Sequence, residues 1–192
     1  MNDFLPAGYE TPEVPSHYME FEEGVNSFRI LSNAIVGYQW WVANGKEGRK
    51  PVRVRAAEDV PDEVRNTLDD RRKARHFWAF TVYNYEAKAV QVLVLKQQTI
   101  MRAIEAFGNN PKWGDPRGYD LSVEKTRTGS QARDVEYGVI PEPPTKLDAG
   151  IAELANNVPV DLEALYAGED PFARAQRETP VAGVLGGKAR KP

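Results

Sequence analysis

Residues 76–85 read HFWAFTVYNY. Five of these ten side chains are aromatic (Phe77, Trp78, Phe80, Tyr83 and Tyr85), and a β-branched pair, Thr81 and Val82, sits among them. Residues of this type favour a pleated, half-buried surface, so the run reads as a strand. Side chains alternate between the two faces of a strand. His76, Trp78, Phe80 and Val82 therefore share one face, and Phe77, Ala79, Thr81, Tyr83 and Tyr85 share the other. Downstream, Glu86–Lys88 forms a tight turn and AVQVLVL, residues 89–95, forms the returning strand of a hairpin. The period then changes. In QQTIMRAIEAFG, residues 97–108, Ile100, Ile104 and Phe107 fall on one helical face with Met101 beside them. Gly108 stops the helix.

Upstream, NSFRILSNAIVGYQWW, residues 26–41, predicts one long bent strand or two short collinear ones, with a weak point at Ser32–Asn33. Gly37 within it marks a bulge or a sharp coil. NGKEGRK, residues 44–50, is a polar loop, and PVRVR, residues 51–55, alternates valine with arginine. Residues 56–74 are highly charged and predict an insertion with a short helix after Pro61. Beyond the main helix, NNPKWGDPRG is a loop, in which Trp113 is either a cap over the helix end, the favoured reading, or a second stacking residue. YDLSVEKT and RDVEYGVI are two further strands joined by an RTGSQA turn.

This order predicts a mainly β domain with a helix between its third and fourth strands. That is the connectivity of the five-stranded, partly open oligonucleotide-binding (OB) barrel, whose end such a helix plugs. A helix lying across an open sheet is the rival arrangement. The expected organisation is an extended acidic arm over residues 1–23, the barrel over 24–140, and a linker with a flexible, partly helical tail over 141–192. The tail's helical stretch, 148–167, is broken near Pro159.

Charge follows the same division. The net charge of -3 conceals a first segment, 1–23, with six acids and no base. Residues 24–140 hold 19 bases against 14 acids, and the tail holds six against eight. A basic middle between acidic ends fits an electrostatic footprint for nucleic acid, although an ordinary fluctuation in charge gives the same numbers. Cysteine is absent, which excludes disulfides, a cysteine nucleophile and thiolate zinc sites. No apolar run has the length of a membrane span, and the N-terminus lacks the basic and apolar regions of a signal peptide, so a cytosolic protein is expected.

Catalytic signatures are missing. His17 and His76 are far apart, and neither sits in HExxH or HxE. GxSxG, GxxxxGK[ST] and GxGxxG do not occur, and no nucleophile, base and orienter come together, so the expectation is a non-enzyme with no metal or cofactor. Binding features are better represented. Tyr38, Trp40, Trp41, Arg53, Arg55, Arg75, Trp78, Tyr83, Tyr85 and Lys88 interleave flat rings with cations, as in single-strand binding, where bases stack on rings and cations follow the phosphates. Any one such aromatic is more often core than platform. The argument for a groove is the excess, because one small barrel does not hold all these rings. Tyr83 and Tyr85 are favoured for its rim, since a tyrosine hydroxyl prefers water. Arg53 and Arg55 read equally as a solvated edge or a phosphate track. Arg71, Arg72, Lys73 and Arg75 form a loop cluster able to close over a strand.

Taken together, FRILSNAIVGYQWW, KPVRVR, HFWAFTVYNY, VQVLVLKQQTI, WGDPRGYDLSVEKT and EYGVIPEPP resemble a family of bacteriophage single-stranded-DNA-binding proteins over roughly residues 15–145. The resemblance implies an OB-fold and binding of single-stranded DNA with little sequence preference. It also implies a role in phage replication, recombination or repair, in the cytoplasm of an infected bacterial host, with phage replication or recombination proteins as partners through the C-terminal tail. Trp40, Arg53, Arg55, Trp78, Tyr83 and Tyr85 lie in the matching blocks. The chain departs from the pattern in ending GGKARKP, with its acids earlier, at Asp148, Glu153, Asp161, Glu163, Glu169 and Asp170. Two other readings remain open: an OB-fold adaptor that binds a replication or transcription protein, and a nuclease or phosphatase on the same fold. The oligomeric state is not legible in the sequence.

Overall fold

The computed structural model of the protein describes residues 16–131 and 134–173. The parts of the arm before residue 16 and of the tail after residue 173 lie outside the described residues. Seven strands form one antiparallel sheet: β1 (Gly24–Ile30), β2 (Ile35–Ala43), β3 (Arg49–Val54), β4 (Arg75–Asn84), β5 (Ala89–Leu95), β6 (Asp120–Arg127) and β7 (Val135–Pro141). The sheet does not close on itself. Its order is β3-β2-β4-β1-β6-β7, with β5 on the free side of β4. Helices are few: α1 (Asp62–Arg65), α2 (Gln98–Gly108), α3 (Ala149–Asn157) and α4 (Ala164–Ala167). Among the described residues no helix is long and apolar enough to cross a membrane.

The strand count is therefore seven rather than five, and the helix lies between the fifth and sixth strands rather than the third and fourth. Two local causes account for the difference. The first strand is split at residues 31–34, and the PVRVR segment pairs with β2 through Val54 as a strand of its own. The split is an insertion. On one side of β4, β1 pairs Ile30 with Val82, whereas β2 pairs Ile35 with Ala79. Four residues of the first strand thus face two of β4. The bulge is held by Leu31 N–H donating to the Thr81 carbonyl (2.9 Å) and Thr81 N–H donating to Ser32 Oγ (2.9 Å). The break falls on the predicted weak point. Gly37 is not the bulge; it pairs regularly with Phe77. Its role is close approach, because a Cβ there would lie 2.1 Å from the Val54 carbonyl oxygen.

Both faces of β4 are buried. On one face Phe80 and Val82 join Phe28, Ile30, Leu93, Leu95, Leu121 and Val123 in the main core. Helix α2 seals it with Ile100, Met101 and Ile104, as its apolar period predicts. Trp113 lies between Phe107 and Tyr119, with ring centroids 6.3 and 5.7 Å away, and so caps the helix end. On the other face Phe77 and Ala79 join Val92 in a second core. This one is completed by the C-terminal segment: Leu165 is 1% exposed and Phe172 3%. The region read as tail therefore folds back onto the sheet through residue 172.

The arm is also partly integrated. Residues 17–19 pair in parallel with Val92, by Met19 N–H to the Val92 carbonyl (3.0 Å) and Val92 N–H to the His17 carbonyl (2.9 Å). Phe21 then packs near Phe28 and Tyr137 (6.2 and 6.1 Å), and Lys125 Nζ donates to its carbonyl (2.5 Å). The arm thereby spans the gap between β5 and β7, which share no ladder.

Gly37→Ala is expected to destabilise the protein by about 1–3 kcal/mol, because the obstructing atom is backbone and the β2–β3 pairing must shift. Gly138→Ala serves as the control, since its nearest contact would be 3.9 Å from Glu124 Cβ. Urea melts of the two variants measure the difference.

Candidate nucleic-acid interface

The described residues enclose a cleft of about 830 Å³. Its walls come from the arm, the β2–β3 hairpin, the end of β5 and the C-terminal segment around α4. The hairpin supplies Gln39, Trp41, Lys50 and Arg53, the end of β5 leads into Lys96, and β6 contributes Lys125. Strand pairing explains the grouping. Gln39 lies opposite Arg53, and Trp41 opposite Pro51, so these side chains share a sheet face. Pro51 and the basic residues around it mark β3 as an edge strand.

Charge in the cleft is concentrated. Lys96 Nζ sits 6.0 Å from the centroid of the Trp41 ring, within reach of a cation–π contact. Burial first, and then the like charges of Arg53 and Arg75, hold the Lys96 ammonium below its ordinary range, with Glu20 acting weakly against them. Arg53 is also lowered by burial. Its Nε donates to the Gln39 side-chain oxygen (2.8 Å), and its guanidinium lies 5.8 Å from the Phe77 ring. Neither Arg53 nor Lys96 forms an ion pair among the described residues. Two half-buried like charges outside any ion pair favour an anion between them. The acids Glu20, Glu169 and Asp170 line the same cleft, with Glu20 in electrostatic reach of Lys96.

The structure distributes the predicted residues over several places. Arg53 lines the cleft, and Arg75 acts on it electrostatically while pairing with Asp70 (2.5 Å). Arg55 stands outside the cleft's lining. Its guanidinium is 4.2 Å from the Tyr166 ring centroid and pairs with Glu163. Trp40 is 6% exposed, so its ring faces are not open to a base. Tyr38 packs edge-on against His76 (5.4 Å), on the face opposite the cleft. Trp78 shares that face, donates from Nε1 to His76 Nε2 (3.2 Å) and lines a separate, shallow depression beside the end of α2. Lys88 is exposed at the hairpin turn with φ 50°.

Tyr83 and Tyr85 do not form a wet rim of this cleft. Tyr85 donates to the Asp120 carboxylate (2.9 Å), which also receives Arg29 (2.7 Å). Arg29 is buried in the sheet and donates further to the Thr145 carbonyl. A buried arginine needs such partners, and the tyrosine completes the set. Tyr83 packs edge-on against Tyr85 at 5.1 Å. The counted rings are distributed: Phe80 lies in the main core with Trp78 against it, Phe77 lies in the second core, and Tyr38, Tyr83 and Tyr85 are half-buried by local contacts. Trp41, 39% exposed, is the only exposed aromatic side chain among the described residues.

Lys50, Lys96, Lys125 and Gln39 were missed by sequence reasoning, whereas Trp41 was named there beside Trp40. Trp41 differs from Trp40 only in strand parity, and that parity was the available signal. Lys96 and Lys125 are brought in by tertiary packing alone.

Burial, and then the hydrogen bond to Asp120, push the Tyr85 hydroxyl up to about 12 from its usual 10.0. The neutral hydroxyl is the favoured form in the folded chain. Its contribution is therefore complete below pH 10 and is lost as pH rises towards 12. Stability measured across that window should fall less steeply in Tyr85→Phe than in the parent chain.

Comparison of the chain with family models, with curated proteins and with solved structures finds no match.

Proposed function

We propose that the protein binds single-stranded DNA with little sequence preference, along the cleft between the β2–β3 hairpin and the C-terminal segment. The observation that carries this reading is the placing of Lys96 and Arg53, two cations that form no ion pair among the described residues, beside Trp41, the only exposed aromatic side chain among them. A base stacks on such a ring at roughly 1–3 kcal/mol, and the adjacent cations meet the phosphates. Lys50 and Lys125 extend the positive lining. Ring stacking is indifferent to base identity, so the specificity expected is low. The resemblance to bacteriophage single-strand-binding proteins supports the same reading and, with it, a role in phage replication, recombination or repair.

The connectivity agrees with an OB barrel carrying one addition. In this reading β1 and β2 are the two halves of the first barrel strand, and β4, β5, β6 and β7 are the remaining four. Helix α2 then stands between the third and fourth barrel strands. Strand β3 and residues 55–74 are an insertion between the first and second. The gap between β5 and β7, filled by the arm, is the open seam of a partly open barrel.

The adaptor reading draws on a different feature. Glu20, Glu169 and Asp170 give the cleft both signs of charge, which a protein surface of mixed charge also fits. Recovery of a partner after nuclease treatment, in a chain with no DNA affinity, would select it.

Titration with oligo-dT at low salt should quench tryptophan fluorescence, and affinity weaker than millimolar would refute the proposal. Trp41→Ala should weaken binding about tenfold or more with little change in melting temperature. Trp40→Ala should instead lower the melting temperature. Replacing Arg53 and Lys96 by alanine should flatten the logarithmic salt dependence by about 0.7 for each phosphate no longer neutralised.

A further inference from the structure

The C-terminal segment 158–172 has two possible relations to a bound strand. It is either a cover that must leave or a wall that stays. Its own construction bears on the choice. Asp161 N–H donates to the Pro171 carbonyl (2.9 Å) and so ties the segment into a closed loop. Glu169 N–H donates to the Ala164 carbonyl (3.0 Å), and Gly168 turns the chain with φ 73°. The carboxylates of Asp161 and Asp170 accept from the Glu163 and Phe172 amides (3.1 and 2.9 Å). Two of the segment's acids thus bind its own backbone.

Attachment to the sheet is through apolar anchors and one backbone contact. Leu165 and Phe172 are buried against Phe77, Ala79 and Val92. The Tyr166 hydroxyl donates to the Val36 carbonyl (2.6 Å), and its ring lies 6.2 Å from Phe77. Arg55 lies over that ring while pairing with Glu163. Phe172 also meets the His17 ring of the arm at 4.4 Å, so the segment ties two walls of the cleft together. Removing it would expose the apolar face of β4 and β5 to water, and that burial is what holds it in place.

Resting on the nucleic-acid reading above, we propose that residues 158–172 are a fixed wall of the DNA-binding cleft, with Leu165 and Tyr166 as positioning residues that hold the wall against β2 and β4. The strand enters between this wall and Trp41. Tyr166, Gly168 and the adjoining backbone face it, and the segment remains docked while DNA is bound. Tyr166 touches Val36 of the β2 strand that carries Trp41, and its ring supports Arg55, next but one to Arg53 on β3. Loosening the wall therefore disturbs the cation track instead of uncovering it.

Hydrogen exchange of the full chain, with and without oligo-dT, tests this directly. Amides of residues 161–172 should exchange at the same rate or more slowly in the complex. Faster exchange on binding would show release of the segment and overturn the proposal. A second arm uses Leu165→Ala and the milder Tyr166→Phe in the full chain. Each should weaken affinity for oligo-dT, by about tenfold and threefold respectively, scaled to a fraction of one stacking contact. Tighter binding by either folded variant would identify the segment as a competitor and overturn the proposal. If the parent chain itself does not bind oligo-dT, the nucleic-acid reading fails and the wall falls with it. Binding accompanied by faster exchange removes the wall alone.

Discussion

Strand β4 is apolar on both sides, and the remainder of the molecule is arranged to keep both sides dry. Phe77 and Ala79 point one way, Phe80 and Val82 the other, and all four are essentially inaccessible. A single layer of sheet cannot protect two apolar faces, so two separate covers are required. One is supplied nearby, by α2 directly after the β4–β5 hairpin together with core residues of β1, β5 and β6. The other comes from residues 158–172, about eighty positions further on. The strand's edges are equally occupied. Three strands pair with it, because the bulge at 31–34 lets β1 and β2 divide one edge while β5 takes the other.

Much of this was legible in the sequence, and the misses share a cause. Local signals located the hairpin at 76–95, the helix at 97–108, the weak point at Ser32–Asn33 and the short helix after Pro61. The same signals did not give the number of strands, because the extent of β3 depends on pairing with β2 and not on its own propensity. The more consequential miss was the second core. Counting rings against one barrel interior implied that several must face solvent. The count was sound, but Val158, Val160, Leu162, Leu165 and Phe172 lie in a stretch whose composition reads as tail. The stretch reads as short helices broken near Pro159, as α3 and α4 are, but short helices in a Pro- and Gly-containing segment carry no signal of the sheet face they cover.

For the candidate site, residue type was readable and side-chain placement was not. Arginine and tryptophan were identified as the relevant chemistry, yet of the ten residues singled out only Trp41 and Arg53 line the cleft. Tyr85 was drawn away by Asp120 and the buried Arg29, an ion pair formed between strands that are far apart in sequence. Lys96, by contrast, follows directly on the β5 strand and had no local feature to distinguish it. Its significance comes from Arg53 and Arg75, which approach it only in the folded sheet and leave its charge under-compensated. Electrostatic features of this kind are properties of the assembled surface, which is why net charge by segment was a weak guide to them.

The four residues Leu31–Ala34 also carry an offset between two ladders. They replace two residues of a regular ladder, and Ile30 faces the core shared with α2 and Ile35 the core shared with the C-terminal segment, each in step with its neighbours on β4. What fixes the faces is the pairing of Ile35 with Ala79, and the unpaired link absorbs the offset between the two ladders. A slip of β2 by a single residue against β4 would turn the strand over: Trp40 and Trp41 would exchange faces, and every pair along β2 and β3 would change sides with them.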